Sequence, residues 1–315
     1  MQSILTITLN PAVDLATSVE HVVAGPKLYC RPPRVDPGGG GVNVARAIGM
    51  LGGAAKALVA VGGPTGERLL RLLEEEGVRP VVVRVSGDTR ESFAVTDESN
   101  GEQFRFSVPG AVLSEDDADR LLDEIAAHAP QDGYVVLSGG VAPGLGDDYP
   151  ARVQAAIAGH TRKLVVDTSK DALARLIRHP RDPVHVLRLN AAEARKVAGE
   201  TLETVADFVA FGRTLINRNV SDMVVTGRAS QGSVLVTKSG QYLCRTPEVP
   251  VVSKIGAGDA FTGAFTLALA RGETPDLALK SGVAAASATM GTEGTGLCDP
   301  QVVKAILPEC HVEVL

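Results

Sequence analysis

Short apolar runs rich in β-branched residues and leucine recur along the chain and alternate with longer segments of helical periodicity. Seven runs are predicted to be strands: Ile4–Leu9, Ala57–Val61, Tyr134–Leu137, Leu164–Asp167, His185–Leu189, Met223–Thr226 and Ser233–Thr237. Helices are predicted over Asn43–Leu51, Gly66–Glu75, Asp116–His128, Tyr149–Gly159, Ala191–Ala198, Val205–Asn217, Asp259–Ala270 and Asp276–Met290. Continuously apolar strands that alternate with helices form a parallel sheet covered on both faces. The pattern therefore predicts an α/β fold.

Two regions interrupt this alternation and predict a small inserted β-sheet. Ser92–Thr96 and Gln103–Val108 alternate in polarity and are joined by a turn containing Asn100-Gly101, which is typical of a hairpin. Leu28–Arg34 is predicted as a third extended stretch. We expect a lid built from roughly residues 11–36 and 88–110 within a single domain of residues 1–315. The apolar face of so small a sheet must cover a substrate cleft or a second subunit, and it comprises Phe93, Val95, Phe104, Phe106 and Val108.

Composition excludes several classes of function. The formal net charge is -6 and aromatic residues make up 3%, which disfavours a nucleic-acid binder because phosphates attract cations and bases stack on aromatic rings. The four cysteines and six histidines have no spacing typical of a zinc site. No 18 apolar residues run uninterrupted, so no membrane span is predicted. We expect a soluble protein in a reducing cytoplasm.

A run of four glycines, Gly38–Gly41, precedes the segment VNVARA and opens a predicted helix. Glycine backbone can approach a ligand closely, and a helix N-terminus favours an anion. The Asn43 amide could bond sugar hydroxyls. The alternative is a tight turn that requires positive φ. No Lys-Ser/Thr pair follows the glycines, which disfavours a P-loop nucleotide hydrolase.

A second glycine turn, Gly256-Ala257-Gly258-Asp259, opens a helix of small residues. Its amides could stabilise charge on a transferred phosphoryl group, and Asp259 could accept a proton from an attacking hydroxyl. Alternatively, Asp259 is a helix cap without chemistry. The third glycine of a dinucleotide fingerprint is missing, so a nucleotide-dependent oxidoreductase is disfavoured.

Polar residues in three further places could bind phosphates or a cation. Asn190 and Glu193 follow a predicted strand and could position Mg²⁺, although the same spacing is that of a capping box. Lys27 and Arg90 lie in the predicted lid, where cations suit a phosphorylated substrate, although surface cations are commonly just solvated. The glycine-rich loop at 291–296 could line an adenine or monovalent-cation pocket or be a plain turn.

Together these motifs resemble the ribokinase-like sugar kinases of the PfkB family. Gly38–Ala47 is similar to the N-terminal signature of that family, and Lys254–Phe261 is similar to its C-terminal one. The resemblance covers nearly the whole chain. It implies a ribokinase-like three-layer α/β/α core with a mainly parallel sheet and a small β-sheet lid.

Other segments resemble the branch of the family that acts on phosphosugars. They are Thr8–Asp14, Gly25–Leu28, Gly101–Phe106 and Pro109-Gly110. The uninterrupted glycine run is more similar to kinases of fructose 6-phosphate than to kinases of fructose 1-phosphate or tagatose 6-phosphate. The implied reaction is ATP- and Mg²⁺-dependent phosphorylation of the 1-hydroxyl of fructose 6-phosphate. The other two phosphosugars remain alternative acceptors.

On the acceptor side, the resemblance makes Asp259 the general base. The anion hole would be formed by backbone amides of the turn, with Gly256, Ala257 and Gly258 as its catalytic residues. The sugar hydroxyls would be held by Asp14, Gly39, Gly40 and Asn43, and the 6-phosphate by Lys27 and Arg90. The lid is expected to mediate a homodimer.

On the nucleotide side, the implied residues are Arg188, Asn190, Glu193, Thr226, Gly227, Gly232, Val283 and Ser287. Glu193 would hold Mg²⁺ through water, and Val283 and Ser287 would lie near the adenine. A monovalent cation such as K⁺ is a further implied cofactor.

The chain also departs from the branch that it resembles. Arg188 replaces a lysine, and Arg228–Gly232 replaces a shorter glycine-containing loop. Ser138–Gly144 differs from the usual SGSLPPG, and Tyr29 stands where an arginine is usual. These changes leave open an altered sugar preference or a catalytically silent sensor of sugar phosphates.

Overall fold

The computed structural model describes residues 1–315 and contains fourteen β-strands in two sheets. The strands are β1 (Ile4–Thr8), β2 (Ala12–Val19), β3 (Arg34–Gly38), β4 (Lys56–Val61), β5 (Val81–Arg84), β6 (Arg90–Asp97), β7 (Gln103–Ser107), β8 (Tyr134–Ser138), β9 (Lys163–Asp167), β10 (Val184–Asn190), β11 (Ser221–Gly227), β12 (Ser233–Thr237), β13 (Gln241–Arg245) and β14 (His311–Val314). The large sheet has the order β14-β13-β12-β11-β10-β9-β8-β1-β4-β5. It is parallel from β5 to β11 and antiparallel beyond β11.

Helices cover both faces of this large sheet. They are α1 (Gly40–Met50), α2 (Gly63–Glu75), α3 (Glu115–His128), α4 (Tyr149–Ile157), α5 (Lys170–Arg178), α6 (Ala191–Ala198), α7 (Val205–Asn217), α8 (Ala257–Ala270), α9 (Pro275–Met290) and α10 (Pro300–Ile306). On β8, Val135 and Leu137 pack with residues of α3 to α7, whereas Tyr134 and Val136 pack with α1, α8 and α9. The predicted three-layer α/β core is confirmed.

Several elements went unpredicted because their sequences are short or polar. β5, β13, β14, α5 and α10 have four to nine residues each. β14 has only four residues, which is too short for its alternation of polar and apolar residues to stand out, and it lies on an exposed edge. Helix α1 begins at Gly40, three residues before the predicted start. Glycine has a low helix propensity, so the sequence did not indicate that the first turn is helical.

The second sheet has the order β3-β2-β6-β7 and uses residues from both segments assigned to the lid. The predicted hairpin is confirmed, because β6 and β7 pair antiparallel with Phe93 opposite Phe106. Of the stretch Leu28–Arg34 that is predicted to be extended, only Arg34 lies in a strand. Pro32 and Pro33 have no N–H to donate and interrupt the ladder, although the Arg31 N–H before them donates to the Ser18 carbonyl oxygen of β2 at 2.9 Å.

None of the ten α-helices has both the length and the apolar character that a membrane span needs.

The glycine run is needed mainly for close packing rather than for turn geometry. Only Gly39 of the four has a positive φ, at 112°. A Cβ on Gly40 would lie 2.5 Å from the Ser138 Oγ, and one on Gly41 would lie 2.3 Å from the Ile7 carbonyl oxygen. The start of α1 therefore lies directly against the ends of β1 and β8.

This packing predicts that Gly41→Ala destabilises the fold. The added methyl group meets backbone atoms that cannot rotate away, so the free energy of unfolding should fall by about 1–3 kcal/mol in denaturant titration. The matched control is Gly49→Ala in the same helix, where a Cβ meets nothing within 4 Å. Alanine there should be neutral or stabilising by up to about 1 kcal/mol. Equal effects of the two substitutions would contradict the packing explanation.

Candidate active site

The Asp259 carboxylate lies in the first turn of α8 and is held by hydrogen bonds from two other elements. The Asn43 amide of α1 donates to Oδ2 at 2.9 Å, and the Ser138 hydroxyl at the end of β8 donates to Oδ1 at 3.3 Å. Residues from three distant parts of the chain thus fix one acidic side chain. Its remaining lone pairs could accept a further donor.

Burial, followed by repulsion from Asp167, raises the pKa of Asp259 to about 7. The hydrogen bonds from Asn43 and Ser138 and the charge of Arg188 act in the opposite direction. A carboxyl group with a pKa near 7 exchanges protons readily at neutral pH, which is the property required of a general base.

The helix start beside Asp259 is free of side-chain caps. Gly256 adopts the left-handed conformation with φ 76°, and no side chain caps the first turn of α8. The N–H groups of a first turn have no partner within the helix, so those of Ala257, Gly258 and Asp259 can bind an anion. Uncapped amides and a carboxyl group of high pKa therefore occur side by side.

Arg188 lies against this turn. A Cβ on Gly258 would be 2.8 Å from Nη1 of Arg188, so glycine at this position lets the guanidinium approach the backbone. Arg188 Nη1 also contacts both carboxylate oxygens of Asp167, at 3.3 and 3.4 Å. The Thr262 hydroxyl lies 2.9 Å from Asp167 Oδ2 and 3.0 Å from the Gly258 carbonyl oxygen, and these two acceptors share its one proton. Arg188 and Asp167 thus form a partly buried ion pair beneath the turn.

Asn190 and Glu193 form the capping box that was one of the two interpretations of their spacing. The Asn190 side chain accepts from the Glu193 N–H, and Glu193 Oε2 accepts from the Asn190 N–H, both at 2.9 Å. Burial raises the pKa of Glu193. Its second carboxylate oxygen takes part in no hydrogen bond and could face a cation or a water molecule.

The other residues predicted for the nucleotide lie around the ends of β11, β12 and α9. Gly227 is the ladder partner of Asn190, so these two predicted residues are neighbours. Gly232 has φ 89°, and a Cβ there would collide with the Cys244 carbonyl group. Thr226, Val283 and Ser287 are buried. No group of three His, Cys, Asp or Glu side chains is placed to hold a metal ion by itself.

The lid contributes a charged face. Asp14 on β2 contacts the backbone at Gly38, where a Cβ would lie 2.2 Å from its carboxylate. Burial raises the pKa of Asp14 to about 6, while Arg90 and Arg105 lower it and Asp36 raises it. Burial also lowers the pKa of Arg90, whose guanidinium contacts the Asn10 carbonyl oxygen and Ser107.

Lys27 lies outside this charged face. Its ammonium is 5.6 Å from the centroid of the exposed Tyr29 ring, and no hydrogen bond or ion pair joins it to the other site residues. The structure therefore brings together Asp14 and Arg90 of the lid but not Lys27.

Four residues of the site were missed in the sequence. Ser138 directly follows the predicted strand Tyr134–Leu137 and Asp167 ends the predicted strand Leu164–Asp167, and because ligands of parallel sheets bind at such positions, this placement is a usable signal. Arg46 follows Asn43 by one helical turn, and its Nη1 donates to the side-chain oxygen Oδ1 of Asn43 at 3.1 Å. Arg105 shares a face of the lid with Asp14 through the pairing of β2, β6 and β7, which becomes visible only once the strand order is known.

Comparisons with known proteins agree with this geometry. The family model described as "pfkB family carbohydrate kinase" matches residues 7–302. The ATP-dependent 6-phosphofructokinase isozyme 2 of Mycobacterium tuberculosis is 37% identical over 296 residues, which cover 94% of this chain and 86% of that protein. The isozyme 2 of Escherichia coli is 34% identical over 310 residues, which cover 98% and 99%. The 1-phosphofructokinase of Bacillus subtilis is 28% identical over 309 residues, which cover 98% and 99%.

Solved structures of the phosphofructokinase-2 of Escherichia coli have the same fold. Its complex with potassium superimposes with a TM-score of 0.92 at 33% identity, covering 98% of this chain and 99% of that one. Its complex with fructose-6-phosphate gives 0.90 at 32% identity with the same coverage.

The charges around Asp259 predict how its pKa responds to substitution. Asp167→Asn removes a negative charge that raises this pKa and releases Arg188, which lowers it. Both changes favour the carboxylate, so the pKa of Asp259 should fall below about 7. The measurement is a ¹³C NMR titration of the aspartate carboxyl carbons, with Asp123→Asn on the exposed face of α3 as the control. An unchanged or raised pKa would contradict this account of the site.

Proposed function

This chain belongs to the pfkB family of carbohydrate kinases, and we propose that it transfers the γ-phosphoryl group of ATP to the 1-hydroxyl of fructose 6-phosphate, yielding fructose 1,6-bisphosphate and ADP. The family predicted from the two glycine motifs is thereby confirmed. The observation that carries the proposal is the partly buried Asp259, with its raised pKa, beside the uncapped start of α8. Relatives named for the same reaction support the choice of acceptor.

In the proposed reaction, Asp259 takes the proton of the sugar 1-hydroxyl as the oxygen attacks phosphorus. Asn43 and Ser138 hold the carboxylate in place, so the base needs no reorientation. The free amides of Ala257, Gly258 and Asp259 stabilise the charge on the phosphoryl oxygens, and the adjacent Arg188 adds positive charge there. Phosphoryl transfer depends mainly on such alignment and electrostatic stabilisation.

The nucleotide and its cation fit the residues at the ends of β10 and β11. Glu193 has one carboxylate oxygen outside the capping box, which suits Mg²⁺ held through water. Bound Mg²⁺ would neutralise charge on the ATP phosphates. Asn190, Gly227 and Gly232 would contact those phosphates, Thr226 would lie along the nucleotide, and Val283 and Ser287 would lie near the adenine. The potassium complex of the Escherichia coli relative supports K⁺ as a further cofactor.

The charged face of the lid supports a phosphorylated acceptor. Arg90 and Arg105 lie near Asp14, which would bond a sugar hydroxyl together with Gly39 and Gly40. We assign the 6-phosphate to these two arginines and to Lys27, which would have to leave the Tyr29 ring. Fructose 1-phosphate is the second candidate acceptor, because a 1-phosphofructokinase matches over nearly the whole chain.

The four cysteines are free, which agrees with a cytoplasmic location.

The first test is ADP release from MgATP with each phosphosugar in turn. We expect the highest kcat/KM with fructose 6-phosphate. Asp259→Asn should lower kcat by about 10² to 10⁴, the contribution typical of a general base, while Asp123→Asn should leave it unchanged. Circular dichroism and the melting temperature check that both variants fold. Highest turnover with another phosphosugar would overturn the acceptor, and full kcat in Asp259→Asn would overturn the base.

We further propose that the protein forms a homodimer through the lid. The outer face of β6 and β7 carries Phe93, Phe104 and Phe106, and Phe106 is 56% exposed. Val108 continues the same apolar surface. These side chains form an exposed apolar patch on β6 and the edge strand β7. Burial of such a patch against a second copy of the chain removes apolar surface from water and is therefore stabilising.

The dimer hypothesis predicts that a charge on this face separates the subunits. Phe106→Glu places a carboxylate in the proposed contact, so light scattering should change from about twice the chain mass to the chain mass. Val112→Glu, at a residue that is more exposed than Phe106 and lies outside both sheets, is the control and should remain dimeric. A monomeric wild-type protein at working concentration would refute the proposal.

A further inference from the structure

The loop that follows α9, Gly291–Gly296, touches the lid through one hydrogen bond. Thr295 Oγ1 donates to Asp36 Oδ2 at 2.5 Å, and both residues are buried, with 3% and 5% of their surfaces exposed. They are separated by 259 positions in sequence. No other hydrogen bond joins this loop to the lid. The motif that could be either a ligand loop or a plain turn therefore has a definite structural contact.

Asp36 stands directly beside the sugar-binding carboxylate assigned above. It is the ladder partner of Asp14 across β2 and β3, so the two carboxylates lie on the same face of the lid. Arg34 Nε donates to both oxygens of Asp36, at 3.0 and 2.8 Å. Thr295 and Arg34 together satisfy Asp36, which orients its charge toward these donors.

The other side of the same loop is joined to the segment that leads into α8. Ser253 Oγ donates to the Gly294 carbonyl oxygen at 3.1 Å and accepts from the Ile255 N–H at 3.2 Å. Gly256, the next residue, begins the turn that presents the free amides. A Cβ on Gly294 would also lie 3.0 Å from the Ala16 side chain of β2. The loop thus lies between the phosphoryl-transfer turn and the lid.

We propose that the Thr295–Asp36 hydrogen bond holds strand β3, and with it Asp14 on β2, in the position that binds the sugar phosphate. Thr295 and Asp36 are then positioning residues for the acceptor. The proposal rests on the kinase function given above. Loss of the Thr295 hydroxyl removes one of the two donors of Asp36 Oδ2 and leaves this oxygen of a buried carboxylate with Arg34 alone. Asp36 and its strand then shift relative to Asp14, and the acceptor binds less tightly. Asp259 keeps its donors Asn43 and Ser138, and the first-turn amides of α8 stay free to bind the phosphoryl group, so the chemical step is spared.

The test compares three threonine variants under saturating MgATP. Thr295→Val removes the hydroxyl at nearly constant volume, and Thr295→Ser retains it. Thr161→Val is the matched control, because Thr161 is also buried and donates to the Gly133 carbonyl oxygen at 2.7 Å, away from the cleft. We expect Thr295→Val to raise KM for fructose 6-phosphate about tenfold or more, the size typical of a lost hydrogen bond to a charged group, with kcat changed less than about threefold. Thr295→Ser should restore KM, and Thr161→Val should leave it unchanged.

Hydrogen exchange of the protein without ligands gives a second readout that does not depend on turnover. In Thr295→Val, the amides of β2 and β3 should exchange faster than in the wild type, while those of β8 and β9 should not. Absence of that change overturns the proposal whichever sugar the enzyme uses. If exchange changes as expected but no phosphosugar is turned over, the proposed function fails and the structural link stands. An equal rise of KM in Thr161→Val would show general destabilisation and would overturn the positioning role.

Discussion

The site depends on keeping one carboxyl group, that of Asp259, inside the protein and still able to ionise. Burying an isolated charge costs far more than a small domain can tolerate, so a buried carboxylate needs donors and nearby positive charge. Here Asn43 and Ser138 donate to it, and Arg188 lies close. Asp167 partly cancels that positive charge by pairing with Arg188. These donors and charges only partly offset the effect of burial, so the pKa of Asp259 stays near 7 rather than returning to its ordinary value.

The same requirement extends outward through a second row of contacts. Arg46 donates to the side-chain oxygen Oδ1 of Asn43 and so fixes the orientation of that side chain. The Asn43 Nδ2 group can therefore donate to Asp259. Arg46 is in turn paired with Glu76 just after α2. A series of hydrogen-bonded side chains therefore connects Glu76 at the protein surface, through Arg46 and Asn43, to Asp259. Close backbone packing at Gly41 and Gly258 makes these approaches possible, since a Cβ at either position would displace a neighbour.

Local sequence signals predicted much of this fold but few of the side-chain contacts within the site. Apolar runs located the central strands, and the spacing of Asn190 and Glu193 indicated the capping box at the start of α6. Each signal is decided within a few neighbouring residues. The contacts of Asp167 with Arg188 and of Thr295 with Asp36 depend instead on strand order and on loops that meet only in the folded chain. Lys27 shows the converse, because a cation in the right segment need not point to the cleft.

The lid presents a related electrostatic problem with a different solution. Two acidic residues, Asp14 and Asp36, face each other across β2 and β3, an arrangement that destabilises a sheet unless each charge has its own partner. Arg34 and Thr295 compensate Asp36, whereas the nearest cations of Asp14 are Arg90 and Arg105 on the neighbouring strands. Arg90 and Arg105 lie on the same face of the sheet as Asp14 and lower its pKa by their charge, without a hydrogen bond to it. Asp36 is thus compensated by direct hydrogen bonds, whereas Asp14 is compensated through space and keeps its carboxylate oxygens without a side-chain donor.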